Sequence, residues 1–86
     1  MRIDKYLKVS RVIKRRTIAK DILDLGFVKI NDKVAKPSTE VKENDIIELT
    51  LGERRLSVKV LELSEQTKKK DASSLFEVIA DEQISL

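Results

Sequence analysis

The 86-residue sequence contains no cysteine and no histidine. Without cysteine the chain cannot form disulfides, and without either residue the usual zinc sites built on thiolate and imidazole ligands are excluded. Catalysis that uses histidine as the general acid or base is excluded as well. Most common enzyme mechanisms therefore lack the residues they need. We expect a protein that is not an enzyme, with no catalytic residue, no metal site and no cofactor.

Aromatic residues are also scarce, at 3% of the sequence. This content is too low for the multi-aromatic surfaces on which single-stranded nucleic acid stacks. Tyr6 lies on the apolar side of a predicted helix, so a place in the core or at its rim is a better expectation than a base-stacking role.

Long apolar runs are missing too. No segment approaches the roughly 20 apolar residues that cross a bilayer, and the N-terminal residues have no apolar stretch of signal-peptide length. We therefore expect a cytoplasmic protein with no membrane partner.

Positive charge is concentrated in the first twenty residues. Residues 1–20 contain eight lysines and arginines against one acid, Asp4, for a net charge of +7, whereas residues 21–86 carry a net charge of −4. Crowding like charges costs self-repulsion, and such a segment is typical of proteins that orient toward a polyanion. The eight cations are Arg2, Lys5, Lys8, Arg11, Lys14, Arg15, Arg16 and Lys20.

Two short helices are predicted at the N-terminal end. In residues 2–9 the apolar side chains recur at i, i+3 and i+4, the spacing of an amphipathic helix. Residues 10–16 break this pattern, and Thr17 is suited to cap a second helix that ends at Gly26. The predicted apolar stripes consist of Ile3, Tyr6, Leu7 and Val9 in the first helix and Ile18, Ala19, Ile22, Leu23 and Leu25 in the second.

From Phe27 onward the apolar residues alternate with polar ones, which predicts strands. Asn31 and Asp32 are expected to form a tight turn between two short strands. The pattern α-α-β-β-β-β predicts an α+β fold in which two short helices pack on a small, mostly antiparallel sheet. The predicted strands contain Val28 and Ile30, Val34, residues 46–51 and residues 56–63.

We expect one domain at residues 1–63 and a C-terminal extension at residues 64–86. Residues 64–71 contain no apolar side chain and are predicted to be a linker. The apolar run at residues 75–79 fits either a strand at the sheet edge or a short docking helix, since periodicity cannot resolve so short a run; we favour the strand.

The basic residues Lys14, Arg15 and Arg16 directly precede the predicted second helix. The first backbone N–H groups of a helix have no partners within it, and its dipole is positive at that end. Side chains and main chain together can therefore bind phosphate there.

Several motifs, taken in order, resemble the alpha-L RNA-binding domain first named for small-subunit ribosomal protein S-four. The resemblance covers roughly residues 1–51 and implies binding to structured ribosomal or transfer RNA through backbone and shape. Two turns depart from the family pattern, with Asp32 and Asn44 in place of glycine, but both residue types tolerate positive φ. The matching motifs are Arg2-Ile3-Asp4-Lys5-Tyr6-Leu7, Arg16-Thr17-Ile18-Ala19, Gly26-Phe27-Val28, Ile30-Asn31, Lys36-Pro37-Ser38 and Asp45-Ile46.

Within that family, the chain is similar to the stand-alone ribosome quality-control factors of low-GC Gram-positive bacteria. The similarity lies in residues 1–11, residues 13–17 and residues 67–69. It implies a ribosome-associated protein that binds large-subunit rRNA and P-site peptidyl-tRNA on obstructed large subunits. A partner of the RqcH type would then add alanine residues to the C-terminus of the stalled chain. The free protein is expected to be a monomer.

Arg2 and Arg16 are the first candidates for contacts to the RNA backbone, because a guanidinium can donate two parallel hydrogen bonds to phosphate. Asp4 has three interpretations: a favourable first-turn acid, an acid that orients Arg2 or Arg16, or an acceptor for a ribose 2′-hydroxyl. Further candidates are Lys5, Lys8, Arg11, Lys14, Arg15 and Lys20.

For some of the candidate RNA-binding residues, a role without RNA is equally consistent with the sequence. Lys20 shares its helix with Asp21 and Asp24 and can pair with them. Four residues around the predicted hairpin either extend the RNA-binding surface or only keep the strands soluble. They are Lys29, Asn31, Lys33 and Lys36.

Two other functions stay open from the sequence. The chain can be a large-subunit rescue or ribosome assembly factor of the heat-shock type. It can also be a protein-interaction module that uses residues 21–86 as its contact surface, with the basic segment as a solubiliser.

Overall fold

The computed structural model describes residues 1–13, 15–63 and 75–83, except for the side chain of Arg16. In these residues two helices precede five strands, and all strand pairs are antiparallel, in the order β2-β1-β3-β4-β5. This arrangement confirms the predicted α+β fold. The elements are α1 (Ile3–Val9), α2 (Arg16–Asp24), β1 (Val28–Ile30), β2 (Lys33–Val34), β3 (Ile46–Leu51), β4 (Arg54–Val60) and β5 (Phe76–Gln83).

Helix α1 is held from both ends. Before it, the Ile3 N–H donates to the Thr39 carbonyl (2.8 Å) and the Val41 N–H donates to the Met1 carbonyl (2.9 Å), so the first residues pair with residues 39–41 like a short strand. After it, the buried Ser10 hydroxyl donates to the Tyr6 carbonyl (2.7 Å). The helix axis is therefore fixed against the loop that leads to β3.

Helix α2 begins two residues earlier than a cap at Thr17 implies, and the prediction that Thr17 caps it is wrong. Arg15 occupies the cap position in an extended conformation without a side-chain cap, and Thr17 lies inside the first turn. Ile18 and Leu25 were placed in the apolar stripe but are 39% and 66% exposed, whereas Ala19, Ile22 and Leu23 are buried. The stripe is narrower than predicted because the sheet covers one side of the helix.

Gly26 ends α2 as predicted. Its φ of +79° allows its own N–H to donate to the Leu23 carbonyl (3.2 Å) and the Phe27 N–H to donate to the Ile22 carbonyl (2.8 Å). These two bonds are the Schellman pattern of helix ends. They turn the chain directly into β1.

The predicted hairpin turn is present, and Asn31 has a second task in it. Asn31 and Asp32 have φ values of +50° and +70°, as a primed two-residue turn requires. The Asn31 side chain accepts a bond from the Ile46 N–H (3.0 Å) and donates to Asp45 Oδ1 (3.0 Å). The hairpin tip is thereby joined to the start of β3.

The apolar run near the C-terminus is in a strand, β5, at the edge of the sheet. The Arg54 guanidinium donates two hydrogen bonds to the Asp81 carboxylate, one of 2.6 Å to Oδ1, and these bonds hold the pKa of Asp81 below its usual value. Strand β4 ends at Val60, three residues before the predicted end. The predicted linker lies outside the described residues, and the division of the chain at residue 63 stays a prediction.

Tyr6 connects α1 to the far end of the sequence. Its side chain is fully buried, and its hydroxyl donates to the Leu75 carbonyl (2.7 Å), just before β5. Burial raises the pKa of Tyr6 to about 12. The core role predicted for this residue therefore includes a polar bond that spans the domain.

Replacing Tyr6 with Phe should lower the free energy of unfolding by about 1–2 kcal/mol at neutral pH, because the Leu75 carbonyl loses its buried donor. The wild-type protein should also lose stability from about pH 10 upward. Unfolded tyrosine ionises near pH 10, whereas the folded side chain keeps its proton until about pH 12. In that interval the tyrosine component of stability falls by up to about 1.4 kcal/mol per pH unit.

Urea unfolding of both proteins between neutral pH and pH 11 measures this component. The stability difference between wild type and Tyr6→Phe should shrink as the pH rises. A difference that is constant with pH would contradict the buried hydroxyl.

The Asn31→Ala variant should lose about 1–3 kcal/mol of stability, because it removes both side-chain bonds to the start of β3. Asn44→Ala is the matched control: Asn44 also has a positive φ, +73°, and its N–H donates to the Val60 carbonyl (2.7 Å). Both variants place alanine at a positive φ, so the difference between them in thermal unfolding measures the two side-chain bonds of Asn31. An equal loss of stability in the two variants would disprove the joining role of Asn31.

Candidate RNA-binding groove

A groove of about 1090 Å³ lies between helices α1 and α2 and the loop at Pro37. Five cationic side chains and one carboxylate line it, together with apolar groups and a threonine. The lining residues are Arg2, Asp4, Lys5, Lys8, Arg11, Ile13, Thr17, Ala19, Lys20 and Pro37.

The two helices place the cations by their buried faces. In α1, Tyr6 and Leu7 are fully buried, so Lys5 and Lys8, three residues apart, are on the exposed side. In α2, burial of Ala19 leaves its neighbour Lys20 exposed and next to the groove. The positions that are buried in the core therefore determine which cations line the groove.

The connection between the helices supplies a further cation and part of the apolar lining. Arg11 has a φ of +60°, a conformation that few residues other than glycine adopt, and it lies two residues after α1. Ile13 is buried and lines the groove beside Ala19. The sharp change of direction at Arg11 brings its side chain to the same groove as those of the helices.

Asp4 binds Arg2 at the edge of the groove. Arg2 Nη2 donates to Asp4 Oδ2 (3.1 Å), and the Lys5 backbone N–H donates to Asp4 Oδ1 (2.8 Å). The side chains of Arg2 and Asp4 are 56% and 39% exposed, so their ion pair contributes about 0–1 kcal/mol to stability. Two of the interpretations of Asp4, the first-turn acid and the partner of Arg2, thus hold at once.

Other predicted residues lie elsewhere. Arg15 lines a smaller apolar hollow with Val12, Ile18 and Leu51 on the other flank of α2. Both amide atoms of Asn31 are used within the protein. Lys14 lies outside the described residues, and the side chain of Arg16 is not described. Three lysines are exposed around the hairpin and do not line the groove: Lys29, Lys33 and Lys36.

Sequence reasoning missed four residues of the groove. Thr17 was interpreted as a cap, and Pro37 only as part of a loop. Ile13 and Ala19 carry no charge, and the sequence offers no signal that they line a site rather than the core alone. These four residues were missed because the groove forms where the two helices cross. The spacing of residues along one helix does not predict how it crosses another.

Three carboxylates of the acidic portion bind cations outside the groove. In the described part of the chain, Asp81 binds Arg54, and Glu48 binds Arg55 Nε (3.2 Å). Glu40 binds the N-terminal amine (3.0 Å). Among the described residues that line the groove, Asp4 is the acid beside five cations.

The described residues include no cluster of three or more acidic, cysteine or histidine side chains that is able to hold a metal ion. Within the same residues, no helix is both long enough and apolar enough to span a bilayer.

Comparison with known proteins gives a family. The S4 domain profile matches residues 1–47. The chain is 51% identical to the RQC P-site tRNA stabilizing factor of Streptococcus pneumoniae over 84 residues, which cover 98% of this chain and 96% of that protein. It is 43% identical to the factor of the same name from Bacillus subtilis, over 98% of both proteins.

A solved structure agrees with the fold. Heat Shock Protein 15 of Vibrio cholerae has a TM-score of 0.80 to this chain at 30% sequence identity, covering 93% of this chain and 82% of that one. High identity over nearly the full length, together with the match at residues 1–47, determines the relationship. The chain belongs to the S4-domain proteins and, among them, to the family of RQC P-site tRNA stabilizing factors.

Proposed function

We propose that this chain binds large ribosomal subunits obstructed by peptidyl-tRNA and stabilises the tRNA in the P site during ribosome-associated quality control. One observation carries the proposal: cations from two helices and their connections line a single groove. The family relationship supplies the RNA that such a groove would bind.

The groove is suited to a folded RNA backbone. The major groove of an RNA helix is too narrow for side chains, so proteins recognise such helices by shape and by phosphate and ribose contacts. Cations on two helices that face one groove can bind several phosphates at once. Arg2 and Arg11 can each donate paired hydrogen bonds to one phosphate, whereas Lys5, Lys8 and Lys20 act as point charges.

A second RNA contact is part of the proposal. The tRNA is held relative to the subunit only if the protein also binds a large-subunit rRNA helix. The residues at the start of α2 and Lys36 would serve that contact or extend the first one: Lys14, Arg15, Arg16 and Lys36. Lys29 and Lys33 instead keep the strands soluble. While the tRNA is held, a factor of the RqcH type adds alanine residues to the stalled chain in the cytoplasm.

The proposed role is binding without catalysis. The groove combines phosphate-binding cations with apolar groups at Ile13 and Ala19, and its carboxylate, Asp4, is bonded to Arg2. This set of groups is suited to a polyanion and contains no paired nucleophile and base.

Large-subunit rescue of the heat-shock type is a second candidate function. The likeness to Heat Shock Protein 15, at a TM-score of 0.80, favours it. The two functions differ in what happens to the stalled chain, since alanine tailing belongs to the first alone.

Removing two groove cations should weaken binding to large subunits and flatten its salt dependence. For Lys8→Ala/Lys20→Ala we expect the slope of log K against log salt to decrease by about 1.4–1.8, the value for two lost phosphate contacts. Co-sedimentation with peptidyl-tRNA-bearing large subunits over a salt series measures both effects.

Lys29→Ala/Lys33→Ala is the matched control, because both lysines are exposed and lie outside the groove. It removes the same charge, so a uniform electrostatic effect would appear in both variants. Equal loss in the two variants, or salt-insensitive binding of the wild type, would refute the groove as the RNA site.

Cells that lack the protein should lose alanine tails on stalled nascent chains, and expression of the wild type should restore them. The Lys8→Ala/Lys20→Ala variant should restore fewer tails than the hairpin control. Mass spectrometry of a stalled reporter chain measures the tails, and tails that persist without the protein would favour the heat-shock type of function instead.

A further inference from the structure

The described residues that line the groove include five cations and one acid, Asp4. A carboxylate at this position repels every phosphate that the cations attract. Its exposed bond with Arg2 and its place in the first helical turn add little stability in return. The position of Asp4 is better explained if the bound nucleic acid presents a hydrogen-bond donor there.

The backbone of RNA has such a donor, whereas the backbone of DNA does not. The ribose 2′-hydroxyl can donate a hydrogen bond, while the phosphate oxygens and the ring oxygen only accept. In each nucleotide the 2′-hydroxyl is next to the 3′-phosphate. A carboxylate beside a guanidinium therefore matches one ribose and its phosphate.

Among the described residues, the partners of Asp4 leave acceptor sites for this bond. The two carboxylate oxygens together have about four lone-pair sites. Lys5 N–H uses one site on Oδ1, at 2.8 Å, and Arg2 uses one on Oδ2, at 3.1 Å. These two donors fix the orientation of the carboxylate. The Asp4 side chain is still 39% exposed to solvent, so a ligand can reach it.

We propose that Asp4 is a specificity-determining residue that accepts a hydrogen bond from a ribose 2′-hydroxyl, with Arg2 on the adjacent phosphate. This inference rests on the proposed function, since it assigns the chemical selectivity of the same groove. It makes the groove a reader of RNA, whereas the cations alone would bind any polyanion.

The test is a cycle of two proteins and two ligands. A synthetic RNA hairpin with the sequence of a tRNA anticodon arm is compared with the same hairpin carrying 2′-fluorine on every ribose, which keeps the RNA-type helix but removes the donor. Fluorescence anisotropy gives the Kd of the full-length wild type and of Asp4→Asn for each hairpin. Asparagine has the same size as aspartate. Its amide oxygen is still an acceptor, but a weaker one because the side chain is neutral.

We expect the wild type to bind the fluorinated hairpin about tenfold more weakly, as for loss of one hydrogen bond to a charged group. Asp4→Asn should distinguish the two hairpins by only about two- to threefold, as for a weak hydrogen bond between neutral groups. Asp24→Asn is the control with the same charge change, on the exposed part of α2 and outside the groove; it should keep the wild-type discrimination.

Two results would overturn the inference. The first is equal discrimination by wild type and Asp4→Asn: if affinity for both hairpins is unchanged, the 2′-hydroxyl bonds elsewhere, and if it falls equally for both, Asp4 acts only by positioning Arg2 or by contacting a base. The second is a failure to bind at all. If the wild type binds neither hairpin, tRNA binding by the proposed function fails, and the assignment of Asp4 fails with it.

Discussion

The burial of helix α1 in the common core is the constraint on which the site depends. A helix of seven residues is not stable by itself in water, so α1 exists because Ile3, Tyr6 and Leu7 are fully buried. Once these three side chains are fixed, the opposite side of the helix must carry Lys5 and Lys8. The Tyr6 hydroxyl bond to the Leu75 carbonyl extends the constraint to the last strand. The cationic surface at the N-terminus is therefore positioned by residues near the C-terminus.

The groove combines rigid supports with long side chains. Its supports are two helix faces fixed by the core and a connection whose direction changes at Arg11. Lysine and arginine reach from these supports with several rotatable bonds, so charge can follow the phosphates of a folded RNA without a change of backbone. The bond between Arg2 and Asp4 restricts one guanidinium, which gives that edge of the groove a more defined geometry than the lysines provide.

Periodicity predicted the helices, and residue types that tolerate positive φ predicted the turns at Gly26, Asn31 and Asn44. These features depend on neighbours in sequence and were predictable for that reason. Helix crossing is different: nothing local indicates that Arg15 lies on the other flank of α2 while Lys20 lines the groove. The start of α2 was misjudged because a threonine near a helix start is usually a cap, whereas here the extended Arg15 has that place.

The acidic portion of the chain bears on the protein-interaction alternative. Across β4 and β5, Lys59 is directly opposite Glu77, and Arg55 is directly opposite Glu82. Arg54 binds Asp81 through both carboxylate oxygens. Opposite charges in these positions stabilise the pairing of the strands. The acids of the edge strand therefore contribute to the stability of the sheet. Three of the fourteen acids in residues 21–86 therefore lie against cations of the neighbouring strand, which weakens the argument from charge for a protein partner. The groove cations, in contrast, converge in one place.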